Sequence, residues 1–163
     1  MKKLFLIFGL LSLNLFGQVN VTEANLIKSY KSNLIKRDVE ATIQSLKALI
    51  ELKNGNTQYQ ISLGYIYQLK GNKELANAHL VKGRAFVLQQ LSEKQLNPKQ
   101  TMDHIVALCF AGYEKDCLNT YNQNKELIQS DDYHSSFDFP AIQQLAMQQR
   151  KVLQTYFAPN KKG

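Results

Sequence analysis

The feature that most constrains this chain is the spacing of its apolar side chains, which recur every three or four residues beyond residue 21. That period places them along one face of an α-helix, and the alternating pattern of a half-buried strand is missing. Only three prolines interrupt the 163 residues, and short polar or glycine-containing breaks separate seven periodic segments. The sequence therefore predicts an all-α fold of antiparallel helical hairpins stacked side by side.

The breaks set the expected bounds of the seven helices. Glycine tolerates the left-handed backbone that commonly ends a helix, so Gly71 and Gly112 are expected to make tight turns. Proline suits the first turn of a helix, so Pro140 is expected to open the last one. In residue numbers, the helices are expected near 22–35, 39–50, 57–69, 73–91, 99–111, 114–128 and 140–156.

The middle of the chain contains a motif at fixed spacing: Leu63-Gly64-x-x-Tyr67, then Gly71, then Ala76-x-x-x-Leu80. This motif resembles the signature of the tetratricopeptide repeat. Weaker copies of its second half begin at Thr42, 34 residues earlier, and at Cys117, 41 residues later. The resemblance covers about residues 22–129. It implies about three tetratricopeptide-like repeats within a domain of residues 18–163, with a last helix that caps the exposed end of the stack.

Proteins of the family that this chain resembles usually bind a partner protein in a groove lined by the first helix of each hairpin. The resemblance thus implies a non-enzymatic adaptor, scaffold or assembly factor that recognises another protein or peptide. Alternatives are a carrier of an apolar small ligand and a small inhibitor or immunity-type protein. The positions that match this groove are Lys31, Tyr65, Gln68, Lys99, Met102 and Phe110. The alternative is that these are ordinary core or solvated residues.

The N-terminus has the three parts of a secretory signal. Two lysines follow Met1, an apolar run extends from Leu4 to Phe16, and the small residue Gly17 follows. The run is shorter than the roughly 20 residues that span a bilayer. We expect residues 1–17 to be removed, leaving a periplasmic or secreted bacterial protein without an integral membrane segment. Its charge would fall from +7 to about +5, since two of the 20 basic residues leave and 13 acidic ones remain.

Cys109 and Cys117 lie eight residues apart on either side of the turn at Gly112. An oxidising compartment would permit a disulfide between them, and the alternative is two buried thiols that pack as small apolar groups. The chain has no CxxC or paired-histidine spacing, so we expect neither a metal site nor a cofactor. Its basic residues are scattered, which argues against nucleic-acid binding.

One polar cluster holds residue types that occur in active sites, the loop from Asp131 to Asp138. A small enzyme using this loop with His104 is a minor alternative, because no nucleophile or calcium-loop motif is present. We therefore expect the chain not to be an enzyme. A stack of three hairpins has exposed ends, through which two copies of the chain could associate.

Overall fold

A computed structural model describes residues 21–52, 57–93, 95–130 and 137–157 of the chain. The expected export signal at residues 1–17, the turn at 54–56 and loop residues 131–136 lie outside these described residues. Within them the fold is all-α, which confirms the predicted class. The seven helices are α1 (Val21–Ile35), α2 (Val39–Leu52), α3 (Thr57–Leu69), α4 (Lys73–Glu93), α5 (Pro98–Ala111), α6 (Glu114–Gln129) and α7 (Phe139–Phe157).

Asparagine and aspartate side chains fix where four of these helices begin. Their side-chain oxygens accept hydrogen bonds from backbone N–H groups in the first turn, which otherwise have no partner inside the helix. The acceptor is Asp38 for α2, Asn72 for α4, Asn97 for α5 and Asp138 for α7, at 2.8–3.1 Å. At α5 the Gln100 side chain bonds back to the Asn97 backbone, which completes a capping box.

Two helix ends adopt the expected left-handed backbone, Gly71 with φ of +78° and Gly112 with φ of +90°. Both φ values favour glycine, because a Cβ clashes in this region. The turn between α1 and α2 uses the same region without glycine, at Arg37 with φ of +60°.

The described chain divides into two compact units, and the division falls within α4 and α7. Unit 1 takes in the residues up to Gly83 together with those from Val152 onward. Within it α1 packs on α2 and α2 packs on α3. Its largest fully buried side chains are Tyr30, Leu34, Leu46, Leu49, Ile61, Leu63 and Ile66.

Unit 2 runs from Arg84 to Lys151. Its hairpin of α5 and α6 packs helix against helix. Its fully buried side chains include Val87, Ile105, Leu108, Ile128 and Ile142.

Two glycines allow α3 and α4 to pack closely against each other in the hairpin of unit 1. A Cβ on Gly64 would lie 2.8 Å from the Leu80 side chain, and a Cβ on Gly83 would lie 2.5 Å from Ile61. Gly64 belongs to the predicted repeat motif, and the close approach expected there is present. Gly83 was not predicted, although it lies seven residues, or two helical turns, after Ala76 on the same face of α4.

Candidate functional site

The polar members of the predicted groove keep their side chains at the surface. Gln68 on α3 is exposed, and Lys31 on α1 is half-buried; both belong to unit 1. Lys99 on α5 of unit 2 is exposed and pairs with Asp103 one turn later, at 2.9 Å. These three residues are the part of the predicted set that can touch a partner.

The apolar members of the predicted groove are buried. Tyr65 and Met102 are each 6% exposed and Phe110 is 7% exposed, so they offer a partner almost no surface. The chain itself supplies the group that meets Tyr65: Gln154 on α7 donates a hydrogen bond to its hydroxyl at 3.1 Å. In this structure these side chains lie in the cores of their units, and their role as partner contacts stays a prediction.

The Arg150 side chain on α7 caps the C-terminal end of α5 in unit 2. Its guanidinium donates to the backbone carbonyls of Cys109 and Phe110, each at 2.7 Å. The last carbonyls of a helix have no partner in the helix and carry partial negative charge, so a cation there is stabilising. The contact at Phe110 is thus made to its backbone carbonyl, while its side chain is buried.

Cys109 and Cys117 form a disulfide, with their Cα atoms 5.3 Å apart. The bond joins α5 to α6 across the turn at Gly112, and both residues are buried, at 5% and 0% exposed. Such burial keeps the bond away from solution thiols, which suits a structural link rather than an exchanging one.

A second link in unit 2 ties α4 to α6. The Arg84 guanidinium donates to both carboxylate oxygens of Asp116, at 2.5 and 3.1 Å, and lies 5.3 Å from the centre of the Tyr113 ring. The hydrogen bonds from Arg84 lower the pKa of Asp116. Sequence spacing alone gave no sign of this pair, because its members lie 32 residues apart.

The most distinctive polar arrangement surrounds His79 on α4, in unit 1. The imidazole Nδ1 lies 2.7 Å from Oε1 of Gln60. Its ring stacks on Tyr67, with the ring centres 5.6 Å apart and the planes 17° from parallel. Two contacts from α3 thus hold a half-buried imidazole in one orientation, and the amide oxygen makes Nδ1 the nitrogen that bears the proton.

Positive charge acts on this imidazole from two helices. Burial lowers the pKa of His79 most, and the charges of Lys82 on α4 and Lys47 on α2 lower it further. Both lysines are exposed, and neither pairs with a carboxylate among the residues that the structure describes. The sequence alone does not predict this cluster, although His79 and Lys82 lie three residues apart and so share one helix face.

The residues of the minor enzymatic alternative have structural contacts where they are described. Asp138 caps α7, and the His104 Nδ1 lies 2.7 Å from the carbonyl of Gln100 one turn earlier in α5. His134 lies outside the described residues. Within the described ranges, no three His, Cys, Asp or Glu side chains converge in a group suited to a metal ion.

None of the seven described helices combines the length and the apolar character needed to cross a lipid bilayer. Comparison with protein-family models, with curated proteins and with solved structures finds no match.

Proposed function

We propose that this chain is an exported, non-enzymatic protein-binding module of about three tetratricopeptide-like hairpins and a final covering helix. The observation that supports it most is the packing of α3 against α4 at Gly64 and Gly83. Helices that approach so closely form a rigid hairpin, and stacked hairpins of this kind present long exposed helix faces. Such faces commonly bind peptides and helices of other proteins.

The proposal places the protein in the periplasm or outside the cell. The signal-like residues 1–17 support this, and so does the disulfide between Cys109 and Cys117. Disulfides persist in oxidising compartments and are rare in the cytosol.

Charge indicates which unit meets an acidic partner. The described residues of unit 1 contain eight Lys and Arg against five Asp and Glu, a net charge of +3. Those of unit 2 contain six of each and are neutral. Complementary charge speeds association and selects partners, so we assign first contact to unit 1, which contains two polar members of the predicted groove, Lys31 on α1 and Gln68 on α3.

The test is crosslinking in cells that express the full chain with a C-terminal tag, followed by capture and mass spectrometry. One dominant envelope or secreted partner is expected. Its recovery should fall in the double variant Lys31→Glu with Gln68→Ala and stay unchanged in Lys125→Glu, which alters an exposed lysine on α6 of unit 2.

Two results would count against the proposal. One is the absence of any captured protein above a tag-only background. The other is an equal loss in both variants, because that pattern reports net charge rather than a binding face.

A further inference from the structure

The arrangement around His79 is built to hold an imidazole that solvent can reach. Gln60 fixes Nδ1 at 2.7 Å and Tyr67 stacks on the ring, so the ring position is set by two contacts from α3. Because Nδ1 bears the proton in the neutral ring, Nε2 is the nitrogen with a free lone pair.

The lysines flanking this ring come from two helices. Lys82 lies three residues after His79 on α4, so both side chains share one face of that helix. Lys47 on α2 is close enough for its charge to act on the imidazole. Among the described residues neither lysine forms an ion pair, and no carboxylate contributes to the electrostatics of the ring.

We propose that Lys47, His79 and Lys82 form a subsite for one carboxylate of an acidic segment on the protein partner. The proposal rests on the protein-binding function and adds the chemistry of one contact. A carboxylate there would offset the repulsion that the two ammonium charges exert on a protonated imidazole, and we expect it to accept hydrogen bonds from the lysines. It would also accept one from Nε2 after that nitrogen has taken up a proton.

Binding is therefore coupled to proton uptake, and the sign follows from linkage. In the free protein, burial and the charges of Lys82 and Lys47 lower the pKa of His79. A bound carboxylate raises this pKa, so the extra affinity is complete below the free pKa and is lost as the pH rises through the bound one. Each unit of rise corresponds to tenfold in affinity between the two limits.

The subsite is tested without the natural partner by titrating the full chain with triglutamate at pH 5.5 and pH 7.5. The readout is the His79 ring signal in NMR spectra, assigned by its absence in His79→Gln. We expect saturable shifts, tighter binding at pH 5.5 and a raised His79 pKa in the bound state. His104, on α5, serves as the internal reference.

Single charge removals locate the effect. Lys47→Gln and Lys82→Gln should each weaken binding roughly two- to fivefold, the range for exposed charge pairs. Lys73→Gln removes an exposed lysine of the same helix, six residues before His79, and it should leave binding unchanged.

Three outcomes would overturn the subsite: no saturable shift of His79, affinity independent of pH, or an equal loss in Lys73→Gln and Lys82→Gln. If the subsite fails while cellular capture still yields a partner, the protein-binding function stands and the partner docks elsewhere. If the subsite binds triglutamate but capture yields nothing, the binding function fails on its own test.

Discussion

Protonation of His79 is linked to the stability of unit 1. Burial, then Lys82 and Lys47, lower its pKa in the folded protein, while the unfolded chain keeps an ordinary value near 6.5. The unfolded state then binds more protons in mildly acidic solution. The stability linked to His79 is complete above about pH 6.5 and is lost as the pH falls toward the lowered folded value.

We therefore predict that the free energy of unfolding decreases between pH 7.5 and pH 5.5, measured by urea denaturation of the full chain. His79→Gln should flatten this dependence, and Lys82→Gln should reduce it because one repulsive charge is gone. A dependence that stays the same in His79→Gln would assign the titration to another group.

At the scale of single residues, the sequence identified the apolar positions well and their surroundings poorly. Tyr65 and Phe110 follow a helical apolar pattern, which predicts burial without saying against what. A face that packs on the chain's own α7 and a face that awaits a partner give the same pattern. In the structure Gln154 on α7 donates a hydrogen bond to the Tyr65 hydroxyl, a contact that the apolar pattern does not reveal.

Among the helices, the α3–α4 hairpin depends most on small residues. Gly83→Ala would ordinarily stabilise a helix by about 1 kcal/mol. Here the new Cβ would lie 2.5 Å from the side chain and 3.3 Å from the backbone nitrogen of Ile61, which is only 2% exposed and has little room to shift. We predict that the substitution lowers the free energy of unfolding by about 1–3 kcal/mol, the usual cost of overpacking.

Chemical denaturation measures this change, and Ala78→Gly on the exposed face of the same helix measures the intrinsic difference between alanine and glycine. Unchanged or increased stability in Gly83→Ala would show that α3 and α4 are free to separate. The close packing of α3 and α4 would then no longer support the proposed repeat.

The α5–α6 hairpin has a covalent link whose contribution follows from its loop. The bond between Cys109 and Cys117 spans a sequence separation of eight. Closing so short a loop removes about 2–3 kcal/mol of unfolded-chain entropy at 25 °C in the loop-closure treatment.

We predict that the double variant Cys109→Ala with Cys117→Ala loses about this free energy of unfolding in urea. Adding a reductant to the unfolding buffer should lower the free energy of unfolding of the wild type to that of the variant and leave the value of the variant unchanged. Equal stability of the two proteins under oxidising conditions would show that the disulfide contributes nothing to the fold.

Helix positions were the most predictable feature of the elements. The bounds of α3 were predicted to the residue, and those of the other six within a few residues, because period and breaks both mark them. Asp38, Asn72 and Asn97 then act as the start signals that such breaks contain. Pairings such as Arg84 with Asp116 were beyond prediction, since charge alone does not say which of several carboxylates an arginine meets.

For the whole molecule, the sequence predicts helical hairpins from the apolar period and the breaks between segments, and the structure has the expected helices. It does not identify a partner, because a binding face is chosen by the shape and charge of another molecule. What the described residues add is a distribution of charge, with a net charge of +3 in unit 1 and none in unit 2. That difference directs the search toward acidic partners of unit 1.

The most direct test of the central claim, protein binding by an exposed face of unit 1, is the dissociation constant of the purified captured partner. Isothermal titration of the wild type, the Lys31→Glu with Gln68→Ala double variant and Lys125→Glu would supply it. We predict at least tenfold weaker binding for the double variant, about 1.4 kcal/mol, and wild-type affinity for Lys125→Glu. Equal affinities for all three proteins would contradict it.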